Sequence, residues 1–151
     1  MTPTLGPIIE KGGTRFTVAS AADALTLCLF NGDAETRLPM ERSGDGLFSL
    51  FVNDLGDGTR YGLRATGPFE PGQALWFDES KLLLDPYARE IDGAFAYRPE
   101  LAMHGFETAS MVPKGVVRAL PKLVKRKAAQ FGTGGLVYEL QVRSFSMLHP
   151  D

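Results

Sequence analysis

Apolar and polar residues alternate in several short runs along the first half of the chain, with the period of two that a half-buried strand requires. In residues 24–30 the side chains of Leu25, Leu27 and Leu29 fall on one face, and residues 61–66 repeat the alternation. Further alternating or apolar runs occupy residues 5–9, 14–19, 35–40 and 47–52. The pattern predicts a protein built mainly of short strands.

Turn signals separate these runs. Asn31-Gly32-Asp33 is the strongest, because asparagine and glycine accept the positive φ angles of tight hairpins. Glycine-rich turns also lie at residues 12–13, 43–46 and 56–58. Short strands divided by such turns are typical of an antiparallel β-sandwich, so we expect an all-β fold of this kind.

Residues 61–88 combine a strand, a crossover and an apolar segment. Gly67-Pro68 and Pro71-Gly72 end the strand, because proline lacks a ladder donor and glycine tolerates turn dihedrals. The apolar run that follows ends at Pro86, which cannot continue a helix or a central strand. We expect residues 82–86 to form a buried apolar clip at the edge of the sandwich.

The pattern changes after residue 88. Residues 89–110 show little periodicity and are expected to form an extended loop packed on the sandwich. Residues 111–118 are expected to add a final strand, and residues 120–131 have the apolar spacing of a helix. Residues 132–135 are rich in glycine and predict a linker, and residues 136–145 have the composition of a strand.

The distribution of charge indicates a domain edge near Thr108. Residues 1–107 contain 9 Lys and Arg against 16 Asp and Glu, whereas residues 108–138 contain 6 Lys and Arg and no acid. The basic run at residues 114–127 could contact phosphates. It lacks interleaved aromatic residues, so a solvated helix face is the favoured interpretation and no nucleic-acid partner is expected.

Composition narrows the class of protein. A chain of 151 residues with 44% hydrophobic and 23% charged residues is expected to be one soluble, globular domain. No apolar run approaches ~20 residues, and the first residues lack a signal peptide, so we expect a cytoplasmic protein with no membrane partner.

Cys28, the single cysteine, allows no intrachain disulfide. His104 and His149 lack companions at ligand spacing, so we expect no metal and no cofactor.

Two sets of motifs carry a resemblance to a known family. The motifs YGLR (residues 61–64), GPF (67–69), FD (77–78) and KLLLDPYA (81–88) resemble the N-terminal region of bacterial glycogen debranching enzymes. These are isoamylase-type members of glycoside hydrolase family 13. Near the other end, LVYELQVRSF (136–145) resembles the first strand of that family's catalytic barrel, and LHP (148–150) fits the debranching branch.

The resemblance implies a division of the chain into three parts. Residues 1–110 would form an immunoglobulin-like β-sandwich of carbohydrate-binding module family 48, and residues 111–135 a basic connecting segment containing a short helix. Residues 136–151 would be the start of a truncated catalytic barrel. A (β/α)8 barrel needs ~250 residues, so the strand at 136–145 would be an orphan first strand.

The resemblance also implies an activity for a longer form of the protein. A full-length α-1,6-glucosidase of the isoamylase type would hydrolyse branch linkages in glycogen or limit dextrin without a cofactor. Retaining glycosidases use two carboxyl groups, one on each side of the scissile bond. In the family these acids lie on later barrel strands, so this fragment is expected to be non-catalytic, with α-glucan and the barrel in cis as its partners.

Two alternatives stay open. The chain could be a stand-alone glucan-binding or protein-interaction module, although an orphan barrel strand argues against this. Within the enzyme class, a branching enzyme or a trehalose-releasing relative shares the same sandwich; residues 81–88 and 148–150 favour debranching.

Sugar binding needs an aromatic platform beside hydrogen-bonding groups, because one pyranose face is apolar and its rim is hydroxylated. The candidate carbohydrate-binding residues are Trp76, the only tryptophan, with Phe77 and Lys81. The alternatives are that Trp76 covers the sandwich edge and that Lys81 anchors the clip by bonding to carbonyl groups. Trp76 stands where the family usually has arginine, so it is not an inherited binding residue. Asp85 precedes a proline and is expected to stabilise a turn.

Overall fold

The computed structural model describes residues 4–44, 46–120, 135, 138–141 and 145. The chain divides into two compact units, Met1–Leu120 and Pro121–Asp151. The first unit contains every strand given below.

The strands in chain order are β1 (Gly6–Glu10), β2 (Gly13–Ala19), β3 (Ala24–Asn31), β4 (Ala34–Pro39), β5 (Glu41–Ser43), β6 (Leu47–Asn53), β7 (Arg60–Thr66), β8 (Phe69–Glu70), β9 (Leu75–Trp76), β10 (Glu90–Asp92) and β11 (Lys114–Val116). One sheet has the order β1-β2-β6-β5 and the other β10-β11-β7-β3-β4, and β8 and β9 form a separate hairpin. All pairs are antiparallel. Short 3-10 turns occupy Pro71–Gln73 and Pro99–Ala102.

The core lies between the inner faces of the two sheets. Leu25 and Leu27 from β3 and Leu63 from β7 pack there against Phe16 of β2 and Phe48 of β6. These are the positions that the two-residue period places on one face, so burial of that face drives the two sheets together. The prediction of an all-β antiparallel sandwich is confirmed.

A second, smaller cluster lies on the opposite face of the five-stranded sheet. Cys28 and Phe30 alternate with the core leucines of β3 and pack with Leu82, which belongs to the segment after the hairpin. Leu82 lies over Gly62 of β7, where an added Cβ atom would sit 2.8 Å from Leu82 Cδ1. The absence of a side chain at Gly62 therefore lets the segment approach the sheet.

The expectation of a buried apolar clip at residues 82–86 holds for Leu82 and is wrong for Leu83 and Leu84. Leu82 and Asp85 are buried, but Leu83 is 44% exposed and Leu84 is 37% exposed. The reason is backbone pairing: Leu83 and Leu63 exchange two N–H···O hydrogen bonds of 2.7 and 2.9 Å. An extended segment points successive side chains to opposite sides, so when Leu82 faces the sheet Leu83 faces away from it.

The sandwich unit extends to Leu120, beyond the boundary expected at residue 110, because β11 completes the five-stranded sheet between β10 and β7. The predicted helix at 120–131 and linker at 132–135 lie almost wholly outside the described residues. In the expected strand at 136–145, the described residues 138–141 are not in a strand. Within this segment, the backbone N–H of Phe145 donates to the Gln141 carbonyl at 3.0 Å.

Candidate functional site

The hairpin β8–β9 carries a pair of exposed aromatic residues within the stretch of family motifs at residues 61–88. Pro71–Gln73 forms its turn, and Ala74 closes it in the left-handed region at φ 59°. Phe69 and Trp76 are opposite each other in the hairpin, with their rings edge to face at 5.9 Å. Trp76 is 64% exposed, so most of its surface is available to a ligand.

A cleft of about 510 Å³ opens beside the hairpin. Phe69 and His104 both line it, and their rings are in contact, with centroids 3.8 Å apart and planes tilted by 40°. The cleft is lined by Thr66, Gly67, Phe69, Phe77, Asp78, Glu79, Ser80, His104 and Gly105. Trp76 is not among these lining residues, but it adjoins the cleft through its edge-to-face contact with Phe69.

Asp78 connects two segments that line the cleft. Its Oδ1 accepts hydrogen bonds from the backbone N–H of Ser80 at 3.0 Å and from Ser80 Oγ at 2.6 Å. Its Oδ2 accepts from the Gly105 N–H at 2.8 Å. Burial opposes ionisation of Asp78, but these bonds outweigh it and keep the pKa of its carboxyl group below the ordinary value.

Two polar side chains of the cleft remain available to a ligand. Among the described residues, nothing hydrogen-bonds to the Glu79 carboxylate or to the ring nitrogens of His104. A sugar hydroxyl group can both donate to a carboxylate and accept from an imidazole N–H. The cleft thus combines aromatic faces with free hydrogen-bonding groups, which is the chemistry that a pyranose requires.

The three residues named from the sequence occupy different environments. Trp76 is at the surface, whereas Phe77 is half-buried and packs against the core. Gly67 makes room for it, since a Cβ atom there would lie 2.7 Å from the Phe77 ring. Lys81 Nζ donates to the carbonyl groups of Met103 and Phe106, the latter at 3.0 Å. The structure brings Phe77 into the cleft wall and directs the Lys81 ammonium group to backbone carbonyls.

Sequence reasoning missed Arg64. The alternation correctly placed it on the opposite face from Tyr61 and Leu63, but its side chain is only 2% exposed. Its guanidinium group donates to both carboxylate oxygens of Glu35, at 2.7 and 2.8 Å. It also donates to Glu107 Oε1 at 2.7 Å and to the Glu79 carbonyl at 2.9 Å.

This buried ion cluster shifts several pKa values. The hydrogen bond from Arg64 is the main reason that the pKa of Glu35 falls from 4.5 to about 2. The bonds to Glu35 likewise raise the pKa of Arg64. Burial, with the neighbouring Glu35, raises the pKa of the Cys28 thiol from 9.0 to about 12. A charged residue inside an alternating strand was the only sequence signal, and it does not reveal which distant carboxylates reach it.

Asp85 is occupied by structural bonds. Its Oδ1 accepts from the Tyr87 N–H at 2.8 Å, which confirms the predicted side-chain turn. Its Oδ2 accepts from the Tyr61 hydroxyl group at 2.9 Å. In the described part of the chain no group of three or more His, Cys, Asp or Glu side chains could hold a metal ion. The helices described there include none with the length and hydropathy of a membrane span.

A second surface is strongly apolar. We call it the apolar face; its exposed side chains are Leu83, Leu84, Ile91, Phe95 and Tyr97. Two adjoining grooves of about 500 and 380 Å³ run along it and share Leu82, Leu83, Phe95 and Val112 as lining residues. Apolar surfaces of this kind mark sites of contact with other protein surfaces or ligands.

Comparison with solved structures supports the architecture. Pullulanase type I from Bacillus subtilis str. 168 matches with a TM-score of 0.54 and 20% identity, covering 85% of this chain and 14% of that one. The Group B Streptococcus pullulanase SAP matches with a TM-score of 0.55 and 14% identity, covering 78% of this chain and 15% of that one. At these identities the likeness concerns the fold alone.

Comparison of sequences identifies the family. The glycogen debranching enzyme of Serratia proteamaculans (strain 568) is 36% identical over 159 residues, and that of Salmonella typhi is 34% identical over 159 residues. Each match covers 97% of this chain but 24% of the relative, so the chain spans about a quarter of the length of these relatives. Residues 4–88 match the family described as carbohydrate-binding module 48 (isoamylase N-terminal domain). The resemblance drawn from residues 61–88 is confirmed, and the chain belongs to this family.

Proposed function

We propose that this chain is the N-terminal, glucan-associated domain of a glycogen debranching enzyme. The observation that carries the proposal is the collinear match to the glycogen debranching enzymes, at 34–36% identity over nearly the whole chain and a quarter of each relative. The full-length protein would be a cytoplasmic glycoside hydrolase that cleaves α-1,6-glucosidic branch linkages in glycogen or limit dextrin. The two carboxyl groups that hydrolysis requires would come from the catalytic barrel.

The cleft beside the hairpin is the proposed point of contact with α-glucan. Trp76 offers an exposed aromatic surface for the apolar face of a glucosyl unit, and Phe69, which contacts Trp76 edge to face, lines the adjoining cleft. Glu79 and His104 lie where hydroxyl groups at the rim of the sugar would reach them. Phe77 supports the wall from below, and Lys81 fixes the backbone of residues 103–106 through two carbonyl groups.

The apolar face is the proposed contact with the catalytic barrel in cis. Burying side chains such as Leu84, Phe95 and Tyr97 against a neighbouring domain would remove a large apolar area from water. No residue lines both the cleft and the larger groove of the apolar face, although the segment that follows the hairpin contributes residues to each. The domain could therefore hold glucan and barrel at the same time.

Affinity electrophoresis in gels containing glycogen tests the glucan contact. We expect the chain to be retarded and Trp76→Ala to migrate much closer to its mobility without glycogen. Tyr97→Ala is the matched control, because it removes an exposed aromatic side chain from the apolar face instead of the cleft. Equal retardation of Trp76→Ala and the unaltered chain would exclude Trp76 as a binding residue.

A stand-alone glucan-binding or interaction module is the second candidate. It is favoured by the closure of the sandwich core within Met1–Leu120. An immunoblot of the source cells with an antibody to this domain separates the two. A band several times heavier than 16.4 kDa supports the debranching enzyme, and a band at 16.4 kDa supports the stand-alone module.

A further inference from the structure

The cleft has two rims that come from separate parts of the chain. Rim one is residues 67–80, which include the hairpin, and rim two is residues 103–107, which include His104. The rims meet through the contact between the tilted rings of Phe69 and His104 and through the bond from Gly105 N–H to Asp78. Ser80 Oγ, whose proton goes to Asp78 Oδ1, also lies 3.0 Å from the Phe106 carbonyl oxygen. The width of the cleft therefore depends on how the two rims are held.

One side chain of the five-stranded sheet bonds to both rims. From β7, Arg64 Nη1 donates to the Glu79 carbonyl of rim one and Nη2 donates to Glu107 Oε1 of rim two. Its remaining bonds go to Glu35 of β4, two strands away in the same sheet. Arg64 itself is not among the residues that line the cleft. Arg64 therefore contacts both rims without lining the cleft.

The chemistry of this group suits it to fix a distance. A guanidinium group is planar and rigid, and its donors point in set directions, so bonds to three partners define their relative positions. Its side chain is almost fully buried, and burial strengthens charge-assisted bonds and makes an unpaired partner costly. Lysine would provide the charge without the planar arrangement of donors.

We propose that Arg64 is the positioning residue of the glucan cleft, holding the His104 rim at a fixed distance from the hairpin rim through Glu107 and Glu79. This inference rests on the proposed glucan contact for its functional consequence. The spacing it sets allows a glucosyl unit on the aromatic surface of Phe69 and Trp76 to reach His104 as well. Arg64 acts through the rims and makes no contact with the sugar.

Glu107→Ala is the variant of choice. Replacing Arg64 would leave Glu35 and Glu107 without their partner, and the chain could fail to fold. Glu107 is 54% exposed and does not line the cleft, and its loss leaves Arg64 paired with Glu35 and Glu79. It also removes an exposed contact of 3.5 Å with Arg37, which contributes little, and the hydrogen bond of 2.9 Å that Glu107 Oε1 accepts from the Ala109 N–H. Arg64→Lys keeps the charge and leaves the Ala109 bond in place, so it must reproduce the effect of Glu107→Ala if Arg64 sets the spacing.

Two controls match this variant. Glu107→Gln keeps an oxygen acceptor for Arg64 and is expected to restore the wild-type behaviour. Glu100→Ala removes an equal charge from the nearby turn Pro99–Ala102, at a residue whose carboxylate has no bond to Arg64.

Two readouts on the full 151-residue chain test the proposal. Affinity for maltoheptaose, a linear α-glucan, is measured by fluorescence titration, for which Trp76 is the only tryptophan. The position of rim two is read from the NMR shifts of the His104 ring protons, which the adjacent Phe69 ring displaces in the intact cleft. We expect Glu107→Ala to weaken binding about fivefold to tenfold, where tenfold equals about 1.4 kcal/mol. The ring-current displacement of His104 should shrink at the same time.

The outcomes separate this inference from the proposed function. Unchanged affinity in Glu107→Ala, or reduced affinity with an unchanged His104 shift, would overturn the role of Arg64. If the wild-type chain does not bind maltoheptaose, the glucan contact fails. The His104 shift then decides alone: its loss in Glu107→Ala but not in Glu100→Ala supports positioning of the rims by Arg64, and its retention overturns it.

Discussion

The hydroxyl group of Tyr61 donates a hydrogen bond of 2.9 Å to Oδ2 of Asp85, and both residues are buried. Tyr61 also packs edge to face against Phe16 across the core, with ring centroids 5.1 Å apart. Burial, together with the charge of Asp85, raises the pKa of the Tyr61 hydroxyl group, so it stays a donor. The pair ties the turn after Leu84 to the centre of the sandwich.

Tyr61→Phe should therefore destabilise the chain. The change keeps the ring but leaves the buried Asp85 carboxylate with one fewer donor, which costs about 1–3 kcal/mol. The measurement is the free energy of unfolding in urea. Tyr87→Phe is the control: Tyr87 is exposed, and we expect a change within about 0.5 kcal/mol. Equal stabilities for both variants would show that the buried bond is worth no more than a surface hydroxyl group.

Stability should fall in acid partly through Glu35. Its pKa in the folded chain, about 2, lies below the 4.5 of an unperturbed glutamate, so folding favours the ionised form. This contribution is complete above about pH 5 and is lost progressively as the pH falls towards about 2. The free energy of unfolding of the unaltered chain should therefore decline more steeply over this window than that of Glu35→Gln.

The control for this pH series is Glu41→Gln, a charge removal at an exposed residue of β5. Its pH dependence should follow that of the unaltered chain. Parallel curves for Glu35→Gln and the unaltered chain would contradict the assigned role of the Arg64–Glu35 pair.

Gly13→Ala should strain the four-stranded sheet. A Cβ atom at Gly13 would lie 2.1 Å from the carbonyl oxygen of Val52 on the paired strand β6. Backbone atoms of β2 and β6 would have to separate, and such overpacking costs about 1–3 kcal/mol. Gly56→Ala is the control, because no atom lies within 4 Å of a Cβ placed there. Thermal unfolding of the two variants compares them, and a Gly13→Ala chain as stable as Gly56→Ala would refute the close approach.

The isolated chain should self-associate through the apolar face. Exposed Leu84 and Phe95 favour burial against a second apolar surface. In a solution of the isolated chain, a second copy can provide that surface. Sedimentation at increasing concentration should show growing average mass, and Leu84→Ser combined with Phe95→Ser should reduce it. Ile9→Ser, at an exposed apolar residue of β1, is the control. A monodisperse monomer at high concentration would count against this prediction.

The sequence by itself determined the strands and their inner face. Leu25, Leu27 and Leu29 alternate with other residues, and a period of two can bury one side only in a strand. Asn31-Gly32 likewise specified the hairpin between β3 and β4, where Gly32 has φ 59°. These are local properties, because they follow from the side-chain period and the backbone preferences of a few adjacent residues. The motifs of residues 61–88 were specific enough to indicate the family as well.

Only the tertiary structure decided which side chains form the cleft. The ring of His104 contacts that of Phe69 across a sequence separation of 35, and Arg64 reaches Glu107 across one of 43. No periodicity connects such residues, since their proximity depends on the path of the chain after the hairpin. The sequence also could not predict that Leu83 is exposed, because leucine is a residue type usually found in the core. Its direction was set by the backbone bonds it makes with Leu63 and by the side of the sheet that Leu82 already occupies.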